Sequence, residues 1–256
     1  TIWGGEFLLG DAASFTRAAA LRPFRLPGAE AAIREPARIA LALLWELYGD
    51  AALEMTDLAP LQALRPAERR LLAQMLHRGL NAPVTTSAGR LFDGVAALLG
   101  LRARVSYEGE AALALEFAAA GHGADAYPIA LAAPAPARGD EAQAAPDRPA
   151  LQIDWAPTLQ AMLADLRRGA DRGIIAAQFH QALVGAIVAV ATRVNVSRVA
   201  LTGGCFQNRL LTEESVKALR RAGFEVLLHR QAPPNDGGIS LGQVAVAAAR
   251  RQSAAA

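Results

Sequence analysis

Cysteine is almost missing from this chain: Cys205 stands alone among 256 residues, so no internal disulfide can form and nothing calls for an oxidising compartment. Lysine is equally scarce, since Lys217 is the single example and every other base is an arginine. The net charge is only +2, from 26 basic and 24 acidic residues. No block of bases is present to track a phosphate backbone, which disfavours nucleic acid as a partner. Long hydrophobic runs are lacking too. The longest, residues 182 to 191, is broken by Gly185 and stopped by Arg193, short of the roughly 18 to 20 residues that span a bilayer. It reads as a core helix, and no membrane is expected as a partner. There is no initiator Met, basic n-region or h-region, and Thr1 opens inside what reads as a strand. The expectation is a cytoplasmic protein of which this chain is an excised piece.

What is present is core material. Residues of the apolar classes make up 53% of the sequence, enough for one large domain or two small ones. Residues 2 to 9 and 15 to 26, bounded by Gly, Asp and Pro, read as the tail of a β-meander whose partners lie upstream. From Glu35 the spacing becomes helical: Ile39, Leu43, Leu44 and Leu47 share a face, with Pro36 in the first turn. Helices follow over 66–78, 88–99 and 110–119, with Gly79, Gly100 and Gly121 as stops. Residues 131–149 mix prolines with alanines and charges, a composition of an insertion or linker. Beyond it, strands at 151–154, 198–201 and 224–228 alternate with helices at 158–168, 173–193, 206–221 and 239–251. That alternation predicts an α/β fold with crossover connections.

Three segments carry polar chemistry. In VALTGGCFQNRLL, Gly203 and Gly204 open a strand-to-helix turn whose N–H groups suit an anion, and Asn208 either serves a ligand or caps the backbone. A plain tight turn is the competing explanation for the two glycines. In HRQAPPNDGGISLGQ, Asp236 follows a strand at the sheet edge where α/β folds place metals and phosphates. It serves equally well as a helix cap. In TTSAGRLFDGVAALLG, Asp93 interrupts an apolar helix and must either face solvent or hold a polar partner, such as a pair of ribose hydroxyls.

Together these segments, with IWGGEFLLG, LRPFRLPG, AAIREP and YEGEAALALE, resemble the C-terminal catalytic domain of the HypF family of carbamoyltransferases, which help build the cyanide ligands of nickel–iron hydrogenases. The resemblance runs nearly end to end. It implies a Kae1-like lobe of the actin-like, sugar-kinase-like superfamily (ASKHA), with a ribonuclease-H-like sheet and helical additions and the first lobe largely missing. Residues 1–30 would be the remnant of the first-lobe meander, and 31–256 the second lobe with its insertion at 131–149.

The resemblance also implies a chemistry. A carbamoyl adenylate, made from carbamoyl phosphate and ATP elsewhere in the full enzyme, would be bound here and its carbamoyl group passed to the C-terminal cysteine of HypE, the acceptor protein. By the same likeness Asp93 meets the ribose, Gly109 lies against the nucleoside, Gly203, Gly204 and Asn208 face the nucleotide, and Asp236 is a ligand of a divalent metal, zinc or iron with magnesium as the alternative. The family's H-x-x-x-H pair would lie upstream, since His77, His122, His180 and His229 do not have that spacing. No catalytic side chain is assigned. Cys205 reads as a small apolar filler and His180 as a helix residue packed near the core. Alternatives are a tRNA threonylcarbamoyl transferase-like enzyme, disfavoured by WGGEFLL, AAIREP and the missing basic patch, and a non-catalytic module that keeps the fold.

Overall fold

In the computed structural model, residues 1–134 and 148–254 are described. In chain order the strands are β1 (Glu6–Gly10), β2 (Phe15–Leu21), β3 (Phe24–Arg25), β4 (Val84–Thr85), β5 (Ala130–Ala132), β6 (Leu151–Asp154), β7 (Arg198–Leu201) and β8 (Glu225–Leu228). The helices are α1 (Glu30–Arg34), α2 (Pro36–Tyr48), α3 (Ala59–Ala63), α4 (Pro66–Arg78), α5 (Ala88–Leu98), α6 (Glu110–Ala119), α7 (Ala156–Arg167), α8 (Arg172–Val194), α9 (Arg209–Arg221) and α10 (Ile239–Ala254). They divide between two compact units. The first comprises Thr1–Gly5, Pro23–Pro128 and Ala156–His180, and the second Glu6–Arg22, Ile129–Trp155 and Gln181–Ala256.

The first unit is helical and is organised by α2. Pro36 starts this helix at a position whose N–H would be unpaired anyway. Its first half is buried all round, from Pro36 and Ala37 through Ile39 to Leu44, so the single face read from the periodicity is too narrow. A helix apolar on every side belongs in a core. It meets α5 at Gly94, where an added Cβ would lie 2.5 Å from Leu43 Cδ1 and 3.0 Å from Ile39 Cγ2. Only a residue without a side chain permits that approach. The N-terminal residues are pinned to the entry of α5: Ile2 N donates to Val84 O at 2.8 Å, Thr86 N to Ile2 O at 2.9 Å and Ala88 N to Gly4 O at 3.1 Å.

The second unit contains a four-stranded sheet in the order β1-β2-β6-β5. β1 and β2 form an antiparallel hairpin, closed by Asp11 Oδ1 accepting from Ala13 N and Ser14 N. β2 then runs parallel to β6, with Ala19 opposite Leu151 and Leu21 opposite Ile153. The expectation that the partners of these strands lie upstream is corrected for β2, which is flanked on both sides within this chain. The strand expected over 15–26 is also interrupted. Pro23 offers no N–H to a ladder, and after it β3 pairs with β4 in the first unit instead. At the turn-off, Trp155 is fully buried, donates from Nε1 to Arg22 O at 2.7 Å and carries the Arg22 guanidinium 5.1 Å from its ring centroid.

β7 and β8 pair in parallel, Val199 opposite Val226 and Leu201 opposite Leu228, with α9 as their crossover. α8 begins in the first unit and ends in the second. It matches the helix read over 173–193 to a residue at each end; among the described residues it is the one helix whose length and hydropathy meet those of a membrane span, and two-thirds of its apolar window is buried in protein. The Pro/Ala-rich insertion at 131–149 keeps only its ends here, with β5 at the first, and residues 135–147 lie outside the described ones.

Candidate functional site

Asp93 and Gly109 belong to the first unit, and Gly203, Gly204, Asn208 and Asp236 to the second. In the first unit, Ser87 caps α5 by accepting from Arg90 N at 3.3 Å. One turn on, Asp93 is buried, its side chain only 5% exposed, and its Oδ2 lies 3.2 Å from Arg90 Nε. Of the two alternatives the sequence leaves for Asp93, the structure takes the polar partner, and that partner is Arg90. Burial, with a smaller push from Glu108, raises the Asp93 carboxyl to about 6 against the pull of Arg90. Gly109 ends the turn before α6 in the left-handed region, φ 86°, with no atom within 4 Å of where a Cβ would stand. Beside it, Glu110 anchors the turn by accepting from Ser106 N and Oγ and from Arg102 Nε.

In the second unit the chain leaves β7 through Gly203 at φ 103°, passes one 3₁₀ turn over Gly204–Gln207 and enters α9 at Asn208. The helix expected from residue 206 therefore starts at Arg209, because Asn208 is extended. Its Oδ1 accepts from Leu211 N at 2.8 Å, so Asn208 does cap the backbone. Gly203 is required by its positive φ. Gly204 has no such need: a Cβ there would meet only Gln207 Oε1, at 3.9 Å. The open space beside Gly204 suits close approach of a ligand to the backbone.

The glycine turn and the PPNDGG loop are neighbours. Gly203 N donates to Pro234 O at 2.7 Å, and His229 Nε2 lies 2.9 Å from Thr202 Oγ1, joining the carboxyl ends of β7 and β8. Thr202 and His229 escape a sequence reading centred on the glycines, although both directly follow the strand ends. Gly237 and Gly238 sit where a Cβ would come within 2.9 Å of Pro233, so the fold accounts for both. Asn235, not Asp236, accepts from Gly237 N. The Asp236 residue is exposed in the turn that leads into α10, which leaves its carboxylate available at a helix start.

Among the described residues no three of His, Cys, Asp and Glu stand close enough to hold a metal. Asp236 alone does not make a metal site. Burial pushes the Cys205 thiol up to about 11, so it stays protonated near neutrality and is a poor nucleophile. His180 is fully buried, its Nδ1 2.7 Å from Ala176 O and its ring edge-on to Phe92 and Phe179, and burial lowers its basicity. Both behave as the packing residues expected.

The family model described as the carbamoyltransferase Kae1-like domain, second subdomain, matches residues 1–243. The carbamoyltransferase HypF of Synechocystis is 37% identical over 98% of this chain and 32% of its own length. That of Rhodobacter capsulatus is 43% identical over 99% of this chain and 31% of its own. The chain thus spans about a third of these curated relatives. A crystal structure of full-length HypF in a phosphate- and nucleotide-bound form superposes with a TM-score of 0.83 at 32% identity, covering 96% of this chain and 30% of that one. HypF of T. kodakarensis gives 0.75 at 25% identity, covering 95% and 31%. With nearly its whole length matched in sequence and in fold, this chain belongs to the carbamoyltransferase Kae1-like domain family, as its second subdomain.

Proposed function

We propose that this chain is the nucleotide-binding part of a carbamoyltransferase of nickel–iron hydrogenase maturation, working with further domains of a longer protein in the cytoplasm. The observation that carries the proposal is the strand-end platform of the second unit, where the Gly203–Asn208 turn is tied to the PPNDGG loop through Pro234 and Gly204 faces open space. Backbone N–H groups at such a turn are oriented before any ligand arrives, which suits an adenylate phosphate. Asp93 and Gly109 carry the nucleoside side of the reading: a carboxylate accepts from two ribose hydroxyls, and a glycine with nothing near its Cβ position allows flat contact. ATP or carbamoyl adenylate is accordingly the ligand. Within this reading residues 1–30 belong to the first-lobe meander and 31–256 to the second lobe.

The reaction is attack of a cysteine thiolate, at the C-terminus of a HypE-like acceptor, on the carbamoyl carbon. A C–S bond forms as the C–O bond to the phosphate breaks, and AMP leaves with the electron pair. Asp236 would contribute one ligand to a divalent metal, zinc, iron or magnesium, with the other ligands supplied from outside the described residues. The complete gene product, given carbamoyl adenylate labelled in the carbamoyl carbon, is expected to label the acceptor thiol. Asp236→Ala is expected to lower both bound metal and transfer sharply. Full metal occupancy in that variant removes Asp236 from the metal, and no label on any acceptor thiol removes the transfer reading.

A further inference from the structure

Arg90 pairs with Asp93 and with Glu108, the residue directly before Gly109, and so stands between the two positions assigned to the nucleoside in the first unit. Its side chain is only 11% exposed. Nε lies 3.2 Å from Asp93 Oδ2, one turn along α5, and Nη2 lies 3.6 Å from Glu108 Oε1, in the residue directly before Gly109. The third nitrogen, Nη1, is buried without a hydrogen-bond partner. A buried donor left unpaired costs stability, so packing alone does not explain an arginine here. An aliphatic residue would fill the same helix position without that cost.

We propose that Arg90 is a positioning residue: its guanidinium fixes the Asp93 carboxylate relative to the Gly109 turn, so that the acceptor for the ribose and the platform for the nucleoside are presented in one geometry. This rests on the assignment of Asp93 and Gly109 to the nucleotide. The two ends of the clamp differ in character. The Asp93 end is buried, whereas Glu108 is 84% exposed at its side chain and holds weakly in water. A nucleoside lying on the Gly109 turn would shield Glu108 from solvent and strengthen that end. Lysine is not equivalent, because one ammonium cannot span two carboxylates in a fixed fork.

The same arrangement has a pH signature. Desolvation of Asp93 favours its protonated form, Arg90 opposes that and Glu108 adds to it. Among the described residues Arg90 and Glu108 are the charges that act on Asp93; α2 places Ile39 and Leu43 against the adjoining Gly94, His180 of α8 lies against Phe92 with its basicity lowered, and Glu110 of α6 is engaged by Arg102 and Ser106. A ribose hydroxyl donates to the ionised carboxylate, so binding should fade as pH falls through the Asp93 midpoint.

The test is AMP affinity by titration calorimetry, from acid to mildly alkaline pH, in the complete gene product and four variants. Wild-type affinity should drop below about pH 6. Arg90→Met should move that midpoint upward, with affinity at neutral pH reduced about twofold when the midpoint reaches 7, about tenfold for each further unit, and partly recovered in alkali. Arg90→Lys should keep the midpoint nearer the wild type yet bind more weakly. Glu108→Gln removes only the exposed end of the clamp, so folding is not at risk. It should weaken AMP by about two- to fivefold at alkaline pH, although losing this anion makes Asp93 easier to ionise. Unchanged or tighter binding by Glu108→Gln overturns the clamp. An Arg90→Met profile superposed on the wild type, or displaced equally at every pH, overturns the proposal as well. If Asp93→Asn binds AMP like the wild type, the nucleotide assignment of Asp93 fails and the role of Arg90 falls with it.

Discussion

Asp93 binds its proton more tightly in the folded chain than in the unfolded one, its carboxyl raised from 3.8 to about 6 chiefly by burial. Between those values the folded state holds the extra proton, so stability falls as pH rises through that window and the loss is complete above it. Two units correspond to at most about 3 kcal/mol. Asparagine has nearly the same shape and no charge at any pH. Urea unfolding should therefore show Asp93→Asn gaining on the wild type between about pH 4.5 and about pH 7.5, since at the lower pH both carry a neutral side chain beside Arg90. An equal difference at the two pH values would mean that Asp93 is solvated. The dilemma of this residue was legible in the sequence, because a carboxylate within an apolar helix needs an explanation. Its resolution was not: the i, i+3 spacing to Arg90 is visible, but burial decides whether such a pair matters, and burial depends on what packs around α5.

The turn between β7 and α9 separates two uses of glycine. Gly203 at φ 103° serves the backbone, so Gly203→Ala should cost roughly 1–3 kcal/mol of stability. Gly204, with neither strain nor crowding, should accept alanine within about 0.5 kcal/mol. Under the nucleotide reading, Gly204→Ala should nevertheless weaken AMP, because the added methyl occupies space the ligand needs. Thermal melts paired with calorimetry read both effects. A Gly204→Ala protein that binds AMP normally would show that open space to be incidental. Helices with proline starts and glycine stops, such as α4 ending at Gly79 in the left-handed region, were readable because the signals lie within the segment. Strand partners were not. The pairing of β2 with β6 joins residues far apart in sequence, and nothing local in FTRAAAL announces it. The 3₁₀ turn ahead of α9 escaped although Asn208 was read as a possible cap, because Phe206, Leu210 and Leu211 keep an apolar helical spacing across the break.

In the second unit, apolar surface is left uncovered on several elements. Leu8 and Phe15 on the β1–β2 hairpin are more than half exposed, as are Ile239, Leu241 and Val244 on α10, and β1 stands at the edge of its sheet. Such surface favours association. The chain by itself should form concentration-dependent oligomers in light scattering. Leu8→Lys combined with Leu241→Lys should reduce them without lowering the melting temperature by more than a degree or two. Persistence of the same oligomers would place the contact elsewhere. The interleaving of the two units was not legible, because contiguous sequence says little about which distant segments share a core. The β2–β6 pairing has a further consequence, in time. Arg22 and Asp154, ion-paired at the end of that ladder, are 132 residues apart. A ribosome adding roughly 5–20 residues per second takes on the order of ten seconds to half a minute to cover that interval. Throughout it the β1–β2 hairpin is made but has only itself to pair with, while α2 and α5 of the first unit already have each other. Nascent chains stalled before Leu151 would therefore present that hairpin to chaperones, and chains stalled beyond Trp155 would not.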